Sequence, residues 1–228
     1  SFVCGPATFL SDTTNKFYED TGLQNGEDYY YKVTATSNKG KGTPSNLMHG
    51  KPYWIPNATE GLSLQAGDSQ IELSWDLLSS DYTNEPFDGG RPIDHYHIFR
   101  NGTHVHTTDG STNNWLDLGL TNGIYYKYHI IAENEAGNGS SSLSIEEYPC
   151  KAPMWSASTF DSLTAIPNGV QLTWTWNPSD NGGDTIQGFN IYSQVEGGNW
   201  QKVHTINDNQ ISSWTDQGLE NGSSYFYK

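Results

Sequence analysis

One fifteen-residue pattern occurs three times in this chain. It reads YEDTGLQNGEDYYYK from Tyr18, WLDLGLTNGIYYKYH from Trp115 and WTDQGLENGSSYFYK from Trp214. All three share aromatic-x-Asp-x-Gly-Leu-x-Asn-Gly-x-x-Tyr-x-Tyr without a gap. Leu23 and Leu120 lie 97 positions apart, and Leu120 and Leu219 lie 99 apart. A second pair, IELSW (Ile71 to Trp75) and VQLTW (Val170 to Trp174), is also separated by 99. Solenoid repeats run to about 20–50 residues, whereas roughly 100 residues make a whole small domain. The chain is therefore expected to repeat a small domain rather than to fold round one large core.

Within each period the signals are those of strands. IELSW alternates apolar and polar residues, which puts Ile71, Leu73 and Trp75 on one face. IDHYHIF places Tyr96 and Ile98 inward and His95, His97 and Phe99 outward. Asn101-Gly102 follows, the pair most favoured in two-residue hairpin turns. YYKYHIIAEN sets Tyr126, Tyr128, Ile130 and Ala132 against Lys127, His129 and Ile131. Turn signals every 8–12 residues or so point to an all-β sandwich, and no segment reads as a helix. Hydrophobic residues make up only 34% of the 228, but aromatics reach 13%, which indicates folded domains with thin, aromatic-rich cores rather than a disordered acidic chain.

These residues resemble the fibronectin type III family. The resemblance rests on the Trp of IELSW and VQLTW, the Gly-Gly passages DGGRPIDHYHI and NGGDTIQGFNI, the Leu-x-x-Gly-x-x-Tyr-x-Tyr stretch and AENEAGNG. It covers nearly the whole chain and implies tandem immunoglobulin-like sandwiches of two antiparallel sheets. On this mapping residues 1–53 hold part of a domain (strands C′, E, F and G), 54–150 a complete one, and 151–228 one that stops within strand F. The chain then reads as a window on a longer array, or as one whose end domains are completed by strand exchange. The resemblance also makes Trp75 and Trp174 core residues, and Tyr29, Tyr126 and Tyr225 tyrosine corners whose hydroxyls bond back to the preceding turn. The linkers HGKPYWIPNAT and YPCKAPMWSA each carry two prolines and one Trp (Trp54, Trp155). Semi-rigid joints are expected, with the indole wedged between neighbours.

Several residues are candidates for binding. Five of seven histidines fall in the middle repeat: His95, His97, His104, His106 and His129. With a two-residue turn at Asn101-Gly102, His97 faces His106 and His104 faces Phe99. Opposed side chains about 4.5–5.5 Å apart at Cβ can share a divalent transition metal. Asp76, Asp81, Glu85 and Asp88, in a long acidic loop, offer hard oxygens to calcium. Sequons at Asn57, Asn101, Asn138 and Asn221 fall in turns or linkers and are glycosylation candidates. Trp176 and Trp200 are the tryptophans least explained by the strand pattern. Cys4 and Cys150 lie about a domain apart, too far for a bridge within one extended chain, and neither sits in a metal-binding spacing.

No Gly-x-Ser-x-Gly, nucleophilic Cys context, phosphate-binding loop or His-Glu-x-x-His occurs, so the chain is not expected to be an enzyme. A net charge of −15 disfavours nucleic-acid and anionic-membrane partners, and no apolar run spans a bilayer. The expected role is a structural or adhesive segment of an extracellular or cell-surface protein of microbial character. Its partners would be other protein chains, with assembly into a filament or surface layer included. A spacer in a secreted polysaccharide-degrading enzyme and a receptor ectodomain are the alternatives.

Overall fold

The computed structural model describes residues 10, 11, 13–80, 87–156 and 158–228. Its strands are antiparallel throughout and fall into separate small sheets. Short alternating segments broken by Asn-Gly, Asp-Ser and Gly-Gly turns favour short strands, and among the described residues one isolated bridge, between Ser79 and Phe87, runs parallel.

The middle of the chain forms a two-sheet sandwich. One sheet orders Ser63–Gly67, Gln70–Ser74 and Asn114–Leu118. The other orders Gly137–Ser141, Tyr126–Asn134, His95–Arg100 and Thr103–Asp109, with Ile145–Glu147 paired to the start of Tyr126–Asn134. Ile71, Leu73 and Trp75 from the first sheet meet Tyr96, Ile98, Tyr128, Ile130 and Ala132 from the second, and Leu120 closes one end. These are the inward positions of the period-2 pattern. Burial of each large side chain stabilises by about 1.5–3 kcal/mol relative to exposure.

The next repeat builds the same plan. Thr159–Ile166, Gly169–Thr175 and Ser213–Gln217 form one sheet, and Gln201–Ile206, Phe189–Val195 and Tyr225–Tyr227 the other. Val170, Leu172, Trp174, Ile191 and Ile206 form its core. A 3-10 turn at Pro178–Asp180, capped by Asn177, is the one helical element among the described residues. In the first repeat Tyr29–Tyr31 pairs with Met48–Gly50, and Thr34–Ser37 with Gly40–Pro44.

The hairpin around Asn101-Gly102 departs from the expected register. Arg100 faces Thr103 and Phe99 faces His104, as a two-residue turn requires, but a bulge then shifts the pairing between Ile98 and Phe99. Ile98 faces His106 and His97 faces Thr107. One extra residue moves every later side chain on that strand to the other face. The pairing of His97 with His106 is thereby removed.

Candidate functional site

The repeated pattern builds a latch in each copy. Its first Tyr turns its hydroxyl onto the turn that precedes it: Gln24 N donates to Tyr29 Oη at 3.0 Å, Thr121 N to Tyr126 Oη at 3.0 Å and Glu220 N to Tyr225 Oη at 3.1 Å. Its second Tyr donates to the Asp of the same pattern. Tyr31 reaches Asp20 at 3.1 Å, Tyr128 reaches Asp117 at 2.8 Å and Tyr227 reaches Asp216 at 2.9 Å. Asp and Tyr stand 11 residues apart; in the second and third copies they lie on strands of opposite sheets, so there the bond ties the two sheets together. Sequence reasoning gave the aspartate no role. Its signal was present in the threefold Asp at fixed distance from Tyr-x-Tyr.

Among the described residues, the middle copy alone adds a cation. Arg100 Nη1 donates to both Asp117 carboxylate oxygens, at 2.9 and 2.8 Å. Asp117 and Tyr128 are buried there, and burial followed by the Asp117 bond pushes the Tyr128 hydroxyl far above the usual phenol range. The Tyr227 hydroxyl is raised for the same two reasons. Trp75 and Trp174 lie in the core at 2% and 5% exposure, and neither indole N–H has an acceptor among the described residues.

The joints between repeats follow one design. Gly26 N donates to Pro52 O at 2.8 Å, and Gly123 N donates to Pro149 O at 2.9 Å. Trp54 N then donates to Gly89 O at 2.8 Å, and Lys151 N to Gly182 O at 2.9 Å. Each linker is thus held by the Asn-Gly turn behind it and the Gly-Gly loop ahead. The turn also packs on the loop. A Cβ at Gly90 would lie 2.4 Å from Gly26 N, and one at Gly183 would lie 2.6 Å from Gly123 N. Both glycines have positive φ, +85° and +97°, so a side chain is excluded by conformation as well as by space. The linker tryptophans do not act as wedges: Trp54 is 65% and Trp155 55% exposed. A joint closed by backbone-to-backbone contact leaves no room for an indole. Trp155 instead meets Trp176 edge-on at 5.5 Å.

The histidines divide between two faces. His97 Nε2 lies 2.9 Å from Glu133 Oε2, and His95 Nδ1 lies 3.5 Å from the same oxygen. Thr107 Oγ1 lies 3.0 Å from His97 Nδ1 and 2.9 Å from His104 Nε2. His129 stacks on Phe99 at 4.8 Å, and burial, then the Lys127 charge, holds its imidazole below the usual pKa. Beyond the bulge His106 stacks on Trp115 at 4.7 Å, and His204 stacks on Trp214 at 5.0 Å in the next repeat. Among the described residues, no three His, Cys, Asp or Glu side chains are grouped so as to hold a metal ion.

The remaining sequence candidates are scattered. In the acidic loop Asp76 is exposed while Asp88 is buried, with Gly90 N donating to its Oδ1; burial raises its pKa. Asp81 and Glu85 lie outside the described residues, as does Cys4, and Cys150 is a free, half-buried thiol. Asn138 is exposed. Asn101 accepts from Lys127 N at 2.9 Å, and Asn221 donates to Asn168 at 3.2 Å. Asn57 N donates to Phe87 O at 2.9 Å. Lys228 Nζ lies 4.5 Å over the Trp200 ring. No described helix is long and apolar enough to cross a membrane.

No family model matches the chain. A Kelch domain-containing protein of Saccharolobus solfataricus is 29% identical over 69% of the chain and 20% of its own length. Exoglucanase B of Cellulomonas fimi is 26% identical over 93% of the chain and 19% of its own length. Neural cell adhesion molecule L1.1 of Danio rerio is 24% identical over 94% of the chain and 18% of its own length. The chain therefore spans a fifth or less of the curated relatives it matches. Among solved structures, the FN1-FN3 domains of chicken CNTN1 share 15% identity at a TM-score of 0.38, covering 87% of this chain and 69% of that one. Two-sheet antiparallel sandwiches, each with a core tryptophan and a tyrosine latch, and a joint repeated between them give this chain the fold of tandem, fibronectin type III-like β-sandwiches.

Proposed function

We propose that this chain is a non-catalytic structural and adhesive segment of an extracellular, tandem-repeat surface protein, with units at 1–53, 54–150 and 151–228. One observation carries the reading: the same turn-on-glycine joint, with the same pair of linker hydrogen bonds, occurs at both boundaries. A protein that needs only flexible spacing between domains gains nothing from pinning each linker at both ends. One that must hold its domains at a set angle does. Partners are then other protein chains, further copies in a filament or surface layer included. Asn57, Asn101, Asn138 and Asn221 are its glycan acceptors, and Asn101, Asn138 and Asn221 are exposed. The adhesion molecule among the relatives supports this role.

A second reading is an accessory spacer in a secreted polysaccharide-degrading enzyme. The match of exoglucanase B to 93% of the chain favours it.

The rod is tested by paired spin labels at the exposed positions Glu72 and Gln171, with Cys4 and Cys150 changed to Ser. A narrow distance distribution is expected, and Gly183→Val should broaden it. A wild-type distribution as broad as that of a flexible linker would reject the rod.

A further inference from the structure

The two joints share a backbone but not a chemistry. The repeat places Asp28, Lys51, Asp88 and Arg91 at the first joint where Tyr125, Tyr148, Asn181 and Asp184 stand at the second. The first set carries two carboxylates and two cations, so its formal charges cancel. There the Arg91 guanidinium lies 4.6 Å over the Tyr53 ring, and Lys51 acts favourably on the Asp88 carboxylate. The second set keeps one carboxylate and replaces both cations, one by a tyrosine and the other by that carboxylate.

What remains at the second joint is a hollow of about 240 Å³, lined by Gly123, Tyr125, Tyr148, Asn181, Asp184 and neighbouring backbone. The Tyr125 and Tyr148 rings meet edge-on at 4.8 Å, and Tyr125 is 60% exposed. Tyr148 Oη donates to Asp184 Oδ1 at 3.3 Å, and Thr185 N donates to the same oxygen at 2.6 Å. Both bonds fall on Oδ1, which leaves Oδ2 for a ligand. Electron-rich ring faces and a carboxylate around one space favour a cation, and the surrounding chain, at −15, draws cations in.

We propose that this hollow binds the guanidinium or ammonium head of a basic side chain on a protein partner. The site takes from the adhesive reading only that the partner is a protein. The interaction is weak for one side chain and gains strength when several joints engage one partner.

The test is an NMR titration of the full chain with N-acetyl-arginine methylamide, beside its neutral isostere N-acetyl-citrulline methylamide and methyl glucoside. Arginine should give saturable shifts at Tyr125, Gly183, Asp184 and Thr185 that weaken with added salt, while citrulline and the glucoside should not. Asp184→Asn should lower the affinity roughly tenfold or more, as a charge-assisted contact requires. Tyr125→Ala, at an exposed ring, should lower it too. An unchanged Gly123 amide shift in each variant reports an intact joint. An equal response to citrulline, saturation by the glucoside alone, or no saturable shift would each overturn the site. With a narrow spin-label distribution, those results would still leave the rod standing.

Discussion

The Asp117 latch sets a stability difference between repeats that can be measured. Asp117→Ala removes the acceptor of the fully buried Tyr128 hydroxyl, which costs about 1–3 kcal/mol for an unsatisfied buried group. It also strands Arg100, whose side chain is 30% exposed against 5% for Asp117. Breaking a fully buried ion pair costs about 3–5 kcal/mol, and partial solvation of Arg100 keeps the total near the low end, about 3–4 kcal/mol. Asp216→Ala strips an acceptor from Tyr227 alone, with no arginine involved, and should cost about 1–2 kcal/mol. Native-state hydrogen exchange in urea separates the two sandwiches: Ile98 and Ile130 amides report the middle one, Leu172 and Ile191 the next. The Asp117→Ala, Tyr128→Phe double-mutant cycle should couple by about 1 kcal/mol or more. If Asp117→Ala destabilises its sandwich no more than Asp216→Ala does its own, the arginine contributes nothing and the reasoning fails.

Other outcomes follow from the same geometry. Trp75→Phe should cost under about 2 kcal/mol in a urea melt, less than a Trp→Ala truncation, because it also deletes an unpaired buried N–H. His129 has a folded pKa below its unfolded value of about 6.5, so the unfolded state binds the extra proton. Its contribution is present above pH 6.5 and lost as pH falls through the folded pKa; a pH series of melts should show this, and His129→Gln should flatten it. Asp180 is buried and accepts from Ser156 and Ser158, Ser158 N at 2.6 Å, and so holds the second linker to its loop. Asp180→Ala should destabilise by about 2–4 kcal/mol and raise exchange at Ser158, and an unchanged Ser158 amide would refute that.

What could be read from the sequence was local and periodic. Period-2 alternation gave the inward set Ile71, Leu73, Trp75, Tyr96 and Ile98, and the resemblance to fibronectin type III domains pointed to the Tyr29, Tyr126 and Tyr225 hydroxyl bonds. The bulge beyond Phe99 was not legible, because turn residues specify pairing near the turn and nothing in Thr103 to Thr107 marks an extra residue. His106 was assigned to the wrong face for that reason. The Asp–Tyr bond was not legible because it crosses between strands 11 residues apart, and period-2 alternation marks the second Tyr of Tyr-x-Tyr only as inward-facing. The joint was missed for a different cause. Asn-Gly and Gly-Gly were each read as turns within their own repeats, and their contact joins residues about 60 apart whose pairing leaves no pattern of its own.

The middle repeat holds both halves of the joint, the Gly89-Gly90 loop that meets the linker before it and the Asn122-Gly123 turn that meets the linker after it. The glycines that meet do so mainly through backbone atoms. A seam that recurs with the same backbone bonds at two boundaries is one that duplication of a unit would carry along with it. Side chains around each seam differ, so the charged first joint and the tyrosine-lined second share the same backbone bonds while presenting different chemistry.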